Sequence, residues 1–212
     1  MTTFYDQLYA RKVKVWPSEE VVAFVEAHRP TLARDRVVDV GCGAGRHTIY
    51  MARRGVDAYG IDQSAVAIEH ARRWAEQDAL KAYFEVGDFS ELPYRDESFI
   101  GAIAWESLFF GPTAAVCRGL REVFRVLKPG APFLLLLKSK DDFRFHAFPK
   151  LDAHCAESEQ GIPVTCFSRD EIVERLSPWT TDLNIEISHH SLENGKNRVA
   201  NFIVTGTKIL TR

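Results

Sequence analysis

An α/β fold built on a doubly wound, mostly parallel sheet of about seven strands is predicted by three features of the sequence. Short apolar runs alternate with helical segments from Val37 to Leu137, which implies parallel strands with helices on both faces. The run Phe133-Leu134-Leu135-Leu136-Leu137 is apolar without interruption, as a central strand buried on both faces requires. Two long strand patterns near the carboxyl end flank Asn194-Gly195, a hairpin signal, and predict a C-terminal antiparallel hairpin.

Taken in order, Pro17-Ser18-Glu19-Glu20 opens a first helix, with Ser18 as N-cap and two carboxylates in the dipole-favoured first turn, and Pro30 is expected to end it. A strand at 37–40 leads through Gly41-Cys42-Gly43-Ala44-Gly45 into a helix closed by Gly55. A strand at 56–61, a helix from Ser64 to about Glu76, strands at 82–86 and 99–105, a helix from Thr113 to Leu127 and a strand at 131–137 follow. Lys128-Pro129-Gly130 stops the last of these helices. Residues 138–166 lack periodicity and are rich in charge, aromatics and histidine; a loop of that length in a compact domain usually carries function. Ser168-Arg169-Asp170-Glu171 is a capping box for a short helix ending near Pro178, before strands at 183–190 and 198–208.

With 212 residues, 46% of them hydrophobic, and no linker-like tract, the chain is expected to form a single domain over 1–212, with 1–36 as an N-terminal helical lid and 138–167 as a substrate-side loop. A net charge of −2 supplies no global field for a polyanion, so no nucleic-acid partner is expected. Arg118, Arg121, Arg125 and Lys128 fall near one helix face, which reads as a solvated surface. Neither a signal peptide nor an apolar run of about 20 residues is evident, so a soluble, cytoplasmic protein without a membrane partner is expected. Cys42, Cys117, Cys155 and Cys166 form no C-x-x-C pair; reduced thiols are expected, and His154-Cys155 with Cys166 matches no common zinc spacing, so no metal is expected.

The glycine turn lets a ligand approach the backbone at a strand's carboxyl end. A dinucleotide fingerprint needs G-x-G-x-x-G, but Arg46 holds the final position and the third glycine comes one residue early, which disfavours a nicotinamide cofactor. Asp39, inside the strand, argues against phosphate and for a ligand carrying positive charge. Asp62 closes the second strand about twenty residues beyond Gly41, where a carboxylate accepts from ribose hydroxyls. Gly87-Asp88 after the third strand offers an acceptor for an adenine amino group, with Phe89 to pack on the ring.

From Val37 to Leu137 this pattern resembles the class I S-adenosylmethionine-dependent methyltransferases, whose first motif is D-x-G-x-G-x-G after a strand. The resemblance implies a Rossmann-like sheet with its last strand inserted beside parallel neighbours. It also implies S-adenosylmethionine as cofactor, and S-adenosylhomocysteine as product. Asp39 would face the cofactor's ammonium, directly or through water; Gly41, Cys42, Gly43 and Gly45 would supply backbone contacts and clearance; Gln63 and Ser64 would lie near the ribose. Trp105, at the end of the fourth strand, would lie beside the methyl group. The stretch from Leu92 to Phe99 is similar to small-molecule methyltransferases, although Ile100 stands where that family usually has an acid. Ala104-Trp105-Glu106-Ser107 departs from the N-P-P-[YFW] pattern of amino-methylating nucleic-acid enzymes. Tyr5, Tyr9 and Trp16 belong to a segment able to cover the cofactor. Together with Gly45-Arg46-His47-Thr48 and 194–198 they resemble the small bacterial methyltransferases of the tellurite-resistance and thiopurine type.

Methyl transfer is an in-line displacement at a carbon already activated by its sulfonium, so alignment and water exclusion matter most. No obligatory catalytic residue is implied. Glu106 and His146, with His154 and His190, are the candidates for a base. Glu106, Phe109, Phe110 and His146 are expected to contact the acceptor, with Phe143, Phe145 and Phe148 as an apolar lid and Lys138, Lys140, Arg144 and Lys150 available to an anionic acceptor. The resulting reading is an enzyme that methylates a small molecule. Its alternatives are a non-catalytic S-adenosylmethionine-binding module and a nucleic-acid methyltransferase; an open pocket beside the methyl position separates the enzyme from the module.

Overall fold

A computed structural model describes residues 15–192 and 197–209. Tyr5, Tyr9 and the Asn194-Gly195 turn lie outside the described residues.

Helix α1 (Glu19–Leu32) precedes β1 (Arg36–Val40), α2 (Arg46–Arg53), β2 (Asp57–Asp62), α3 (Ala65–Gln77), β3 (Ala82–Val86), β4 (Gly101–Ala104), α4 (Thr113–Val126) and β5 (Pro132–Ser139). Then come α5 (Phe143–Ala147), β6 (Cys155–Glu157), β7 (Pro163–Phe167), α6 (Arg169–Leu176), β8 (Thr180–Ser191) and β9 (Arg198–Lys208). Five parallel strands run in the order β3-β2-β1-β4-β5, and β9 pairs antiparallel with both β5 and β8. The last strand therefore lies between β5 and β8, as the family resemblance implies.

Side chains alternate between the faces of this sheet. Val38, Val40, Ile61 and Leu135 pack beneath α4 and α6 through Leu120, Phe124 and Ile172. Val37, Ala58, Ile103 and Leu134 pack on the other face against Val21 and Val25 of α1 and Met51 of α2. Strand order reverses between β1 and β4, and at that switch point the carboxyl ends of the strands open a crevice.

Local signals hold in several places. The Ser64 hydroxyl accepts from the Ala67 N–H at 3.1 Å. Both halves of the Ser168–Glu171 capping box are formed. Pro30, however, does not end α1, which runs on to Leu32. Leu32 is fully buried and meets Gly101 so closely that a Cβ there would come within 2.4 Å of it. Burying such a side chain contributes about 1.5–3 kcal/mol, comparable to the cost of one helical proline.

The segment 138–167, expected as a loop, holds the end of β5, α5 and a β6–β7 hairpin. β7 pairs with β5 at Lys138 and Ser139, beyond the end of β4, and the Thr165 N–H donates to the Phe109 carbonyl at 2.8 Å. The hairpin thus continues the row of β4 over the crevice. On α4, Arg118 and Arg121 are exposed, whereas Arg125 is tied to Glu122, Asp96 and two carbonyls, and Lys128 pairs with Asp35.

Candidate functional site

The glycine turn folds back onto β2, the Gly41 and Cys42 N–H groups both donating to the Ile61 carbonyl at 2.7 and 3.0 Å. Gly41 has φ +72°, and a Cβ on it would lie 2.2 Å from the Cβ of Ser107. Only glycine allows this approach, and the Ser107 hydroxyl fastens it by donating to the Val40 carbonyl at 2.6 Å. Asp62, at the end of β2, accepts from the Gly43 N–H at 2.8 Å and the Ser64 N–H at 2.9 Å, which fixes its carboxylate at the crevice. The Asp88 carboxylate is held by the Ser90 N–H at 2.7 Å.

Two connected spaces occupy the crevice. A narrow groove is bounded by Gly41, Asp62, Gln63, Asp88, Phe89, Glu106 and Phe110, with Ile61, Gly87 and Ser107. Beside it lies a cavity of about 590 Å³ whose walls include Cys42, Trp105, Phe109, Leu136, Lys138, Arg144, Val164 and His190. Gly41, Glu106 and Phe110 border both. Glu106 has φ +57°, a conformation uncommon outside glycine, and pairs with Arg46 Nη2 at 2.8 Å.

Several expected residues are elsewhere. Asp39 is 1% exposed and borders neither space; its Oδ2 accepts from the Thr48 hydroxyl at 2.7 Å, while Oδ1 is buried with no hydrogen-bond partner. Burial pushes its carboxyl up to about 7 against the Thr48 hydrogen bond. Gly43 borders neither space and instead braces Asp62. Gly45 borders neither; a Cβ on it would meet Ala71 at 2.9 Å and Phe84 at 3.0 Å, so its role is close helix packing. Trp16 is 80% exposed, and its carbonyl accepts from Arg46 Nη1 at 3.2 Å at the site's periphery. The Cys42 thiol is buried and pushed well above its ordinary range by desolvation.

His146 stands apart from the crevice. It is exposed on α5, touches the Phe145 ring and borders neither space, because the short helix turns Phe145 inward and the histidine out. His154 lies against Glu171, with Nδ1 3.3 Å from its carboxylate. Phe145 is buried among Ala156, Val164 and Cys166 behind the cavity wall and forms no lid. Lys140 pairs with Glu171, and Lys150 covers the Phe145 ring, so Lys138 and Arg144 are the lysine and arginine of that set that face the cavity. Residues missed from sequence include Ser107 in the groove and Ile162, Val164, Val199 and Asn201 in the cavity. His47, buried and accepting from the Ser18 N–H at 3.3 Å, also borders the cavity.

Among the described residues no three histidine, cysteine or acidic side chains converge as a metal site, and no helix is long and apolar enough to cross a membrane.

Residues 37–130 match the model of a methyltransferase domain family. A 2-heptyl-1-hydroxyquinolin-4(1H)-one methyltransferase of Mycobacteroides abscessus is 30% identical over 168 residues, 78% of this chain and 66% of that protein. Methyltransferase phqN of Penicillium fellutanum is 33% identical over 111 residues, 50% of this chain and 33% of its own length. The chain thus spans between a third and about two thirds of these relatives. A solved S-adenosylmethionine-dependent methyltransferase from Methanosarcina mazei superposes with a TM-score of 0.66 at 26% identity, covering 88% of this chain and 98% of that one.

Proposed function

We propose that this chain, whose residues 37–130 match the model of a methyltransferase domain, is an S-adenosylmethionine-dependent enzyme that methylates a small molecule. The observation that carries the proposal is the open cavity of about 590 Å³ sharing Gly41, Glu106 and Phe110 with the groove. A module that only held the cofactor would have no use for such space beside the joint. The groove's chemistry fits the cofactor: ribose diol and adenine amine are hydrogen-bond donors, and the groove presents the carboxylates of Asp62 and Asp88. The unpartnered Oδ1 of Asp39 beneath the turn suits an ammonium reached through water.

The bound cofactor supplies an electrophilic methyl group on a sulfonium. In this reading Asp62 orients the ribose, Asp88 accepts from the adenine amino group, and Phe89 and Gln63 line the groove. Gly41 allows close approach of the backbone. Trp105, Phe109 and Phe110 exclude water around the acceptor, and Glu106, held by Arg46, receives the acceptor's proton where one must leave. Within the family, Gly45-Arg46-His47-Thr48 favours the tellurite-resistance and thiopurine type. An acceptor of small-molecule size, not a nucleic acid, is supported by the volume and the largely apolar wall of the cavity, and a cytoplasmic setting by four free thiols.

Release of S-adenosylhomocysteine from S-adenosylmethionine in the presence of a panel of hydroxylated, amino and thiol aromatics tests the proposal. Acceptor-dependent product is expected, reduced at least tenfold in kcat by Glu106→Gln. Tight cofactor binding with no product from any acceptor would make the chain a binding module.

A further inference from the structure

We infer that the cavity is built for a small organic anion, an apolar ring-sized body bearing a carboxylate or equivalent acidic oxygen group held by Lys138 and Arg144. This rests on the methyltransferase reading and names the class of its acceptor.

Lys138 is the last cavity-facing residue of β5 and only 7% exposed. Its ammonium donates to Asn201 Oδ1 at 2.6 Å, stands 3.2 Å from Asp142 Oδ2 and lies 5.2 Å from the centre of the Phe109 ring. Asp142, fully buried, also accepts from the Arg144 N–H at 3.0 Å and the Ala200 N–H at 3.1 Å, with Arg144 Nη1 3.2 Å from each of its oxygens. One carboxylate therefore serves two cations, and the cluster carries a net charge of +1. Arg46, also on the cavity wall, is matched singly by Glu106.

Without Lys138, Asp142 would still be met by two backbone N–H groups and Arg144, while the other partner of the ammonium, Asn201 Oδ1, is neutral. A buried ammonium short of negative charge is costly, and desolvation lowers the Lys138 pKa accordingly. An anion in the cavity removes that deficit. Two of the three ammonium donors are engaged, leaving one for a ligand, while the Arg144 fork offers its remaining N–H groups. Trp105, Phe109, Phe110 and Leu136 supply the apolar wall, and about 590 Å³ falls in the range of small-molecule sites. Lys138 lies two residues beyond Leu136, about 7 Å farther along the strand. Gly41 and Glu106 border the same cavity as Lys138 and Arg144.

The test is calorimetric titration of the S-adenosylhomocysteine-saturated protein with benzoate, 2-naphthoate and quinoline-2-carboxylate, each against its neutral carboxamide. At least one acid is expected to bind tenfold or more tightly than its amide. Arg144→Gln and Lys138→Met are expected to reduce that preference to under threefold while leaving S-adenosylhomocysteine affinity unchanged. Arg144→Gln carries the test if Lys138→Met does not fold. No acid exceeding its amide in the wild type, or an unchanged preference in the folded variants, overturns the inference. Acid preference without any S-adenosylhomocysteine binding supports the anion site and counts against the methyltransferase reading alone.

Discussion

Gly41→Ala tests the joint between turn and crevice. The added Cβ would sit 2.2 Å from Ser107 Cβ, and the residue would have to keep φ +72°. The left-handed backbone costs an alanine about 1–2 kcal/mol, and overpacking at a contact that short adds about 1–3 kcal/mol. The single variant should therefore lose roughly 2–5 kcal/mol in urea unfolding with an unchanged m-value. Ser107→Gly alone removes the hydroxyl bonded to Val40 and should cost about 1 kcal/mol. In the double variant the steric part disappears, leaving the backbone part and the lost hydroxyl bond. The double-mutant cycle should then show about 1–3 kcal/mol less destabilisation than the sum of the singles. Additivity within about 0.5 kcal/mol would refute the idea that Ser107 is what excludes a side chain at position 41.

Other expectations concern the carboxylates and thiols. Asp88→Ala should weaken S-adenosylhomocysteine binding about ten- to a hundredfold with little change in stability, whereas Asp62→Ala should lose both, because Asp62 also holds Gly43 and Ser64; calorimetry and urea melts separate the two. The folded protein keeps a proton on Asp39 up to about pH 7, while the unfolded chain releases it near the ordinary 3.8. Between those values the native state binds more protons, so stability falls as pH rises, by up to about 1.4 kcal/mol per pH unit. Asp39→Asn should flatten that slope in urea melts from pH 4 to 7, and an identical slope in both proteins would remove Asp39 as its source. Iodoacetamide should label the partly exposed Cys117 well before Cys42 or Cys166, the latter pushed up to about 12 by burial, as peptide mapping would record.

The groove lined by Gly41, Asp62 and Asp88 was legible in the sequence because it is local. Each feature sits at the end of one strand or in the turn after it, so the strand pattern, the glycine turn and the family resemblance together put Gly41, Asp62 and Asp88 at a common edge. Gly45 answers to a second demand that its local sequence does not show. Its positive φ suits a turn, but what makes the side chain impossible is Ala71 and Phe84, from α3 and β3. Pro30 likewise obeyed tertiary packing at Leu32 over local preference. The acceptor side was less legible because four distant segments build it. A three-residue β6 has no readable period, and the hairpin's position depends on pairing with the Phe109–Gly111 stretch. His146 and Phe145 are adjacent in sequence, yet only the packing of a five-residue helix decides which turns inward.

The central claim is that the groove takes S-adenosylmethionine, and the most direct measurement is calorimetric titration of the purified protein with S-adenosylmethionine, S-adenosylhomocysteine and NAD in parallel. Micromolar binding of the first two with no heat from NAD is the predicted result. Binding of NAD alone would contradict the account, overturning the roles given to Asp62 and Asp88 and moving the chain to a different cofactor chemistry.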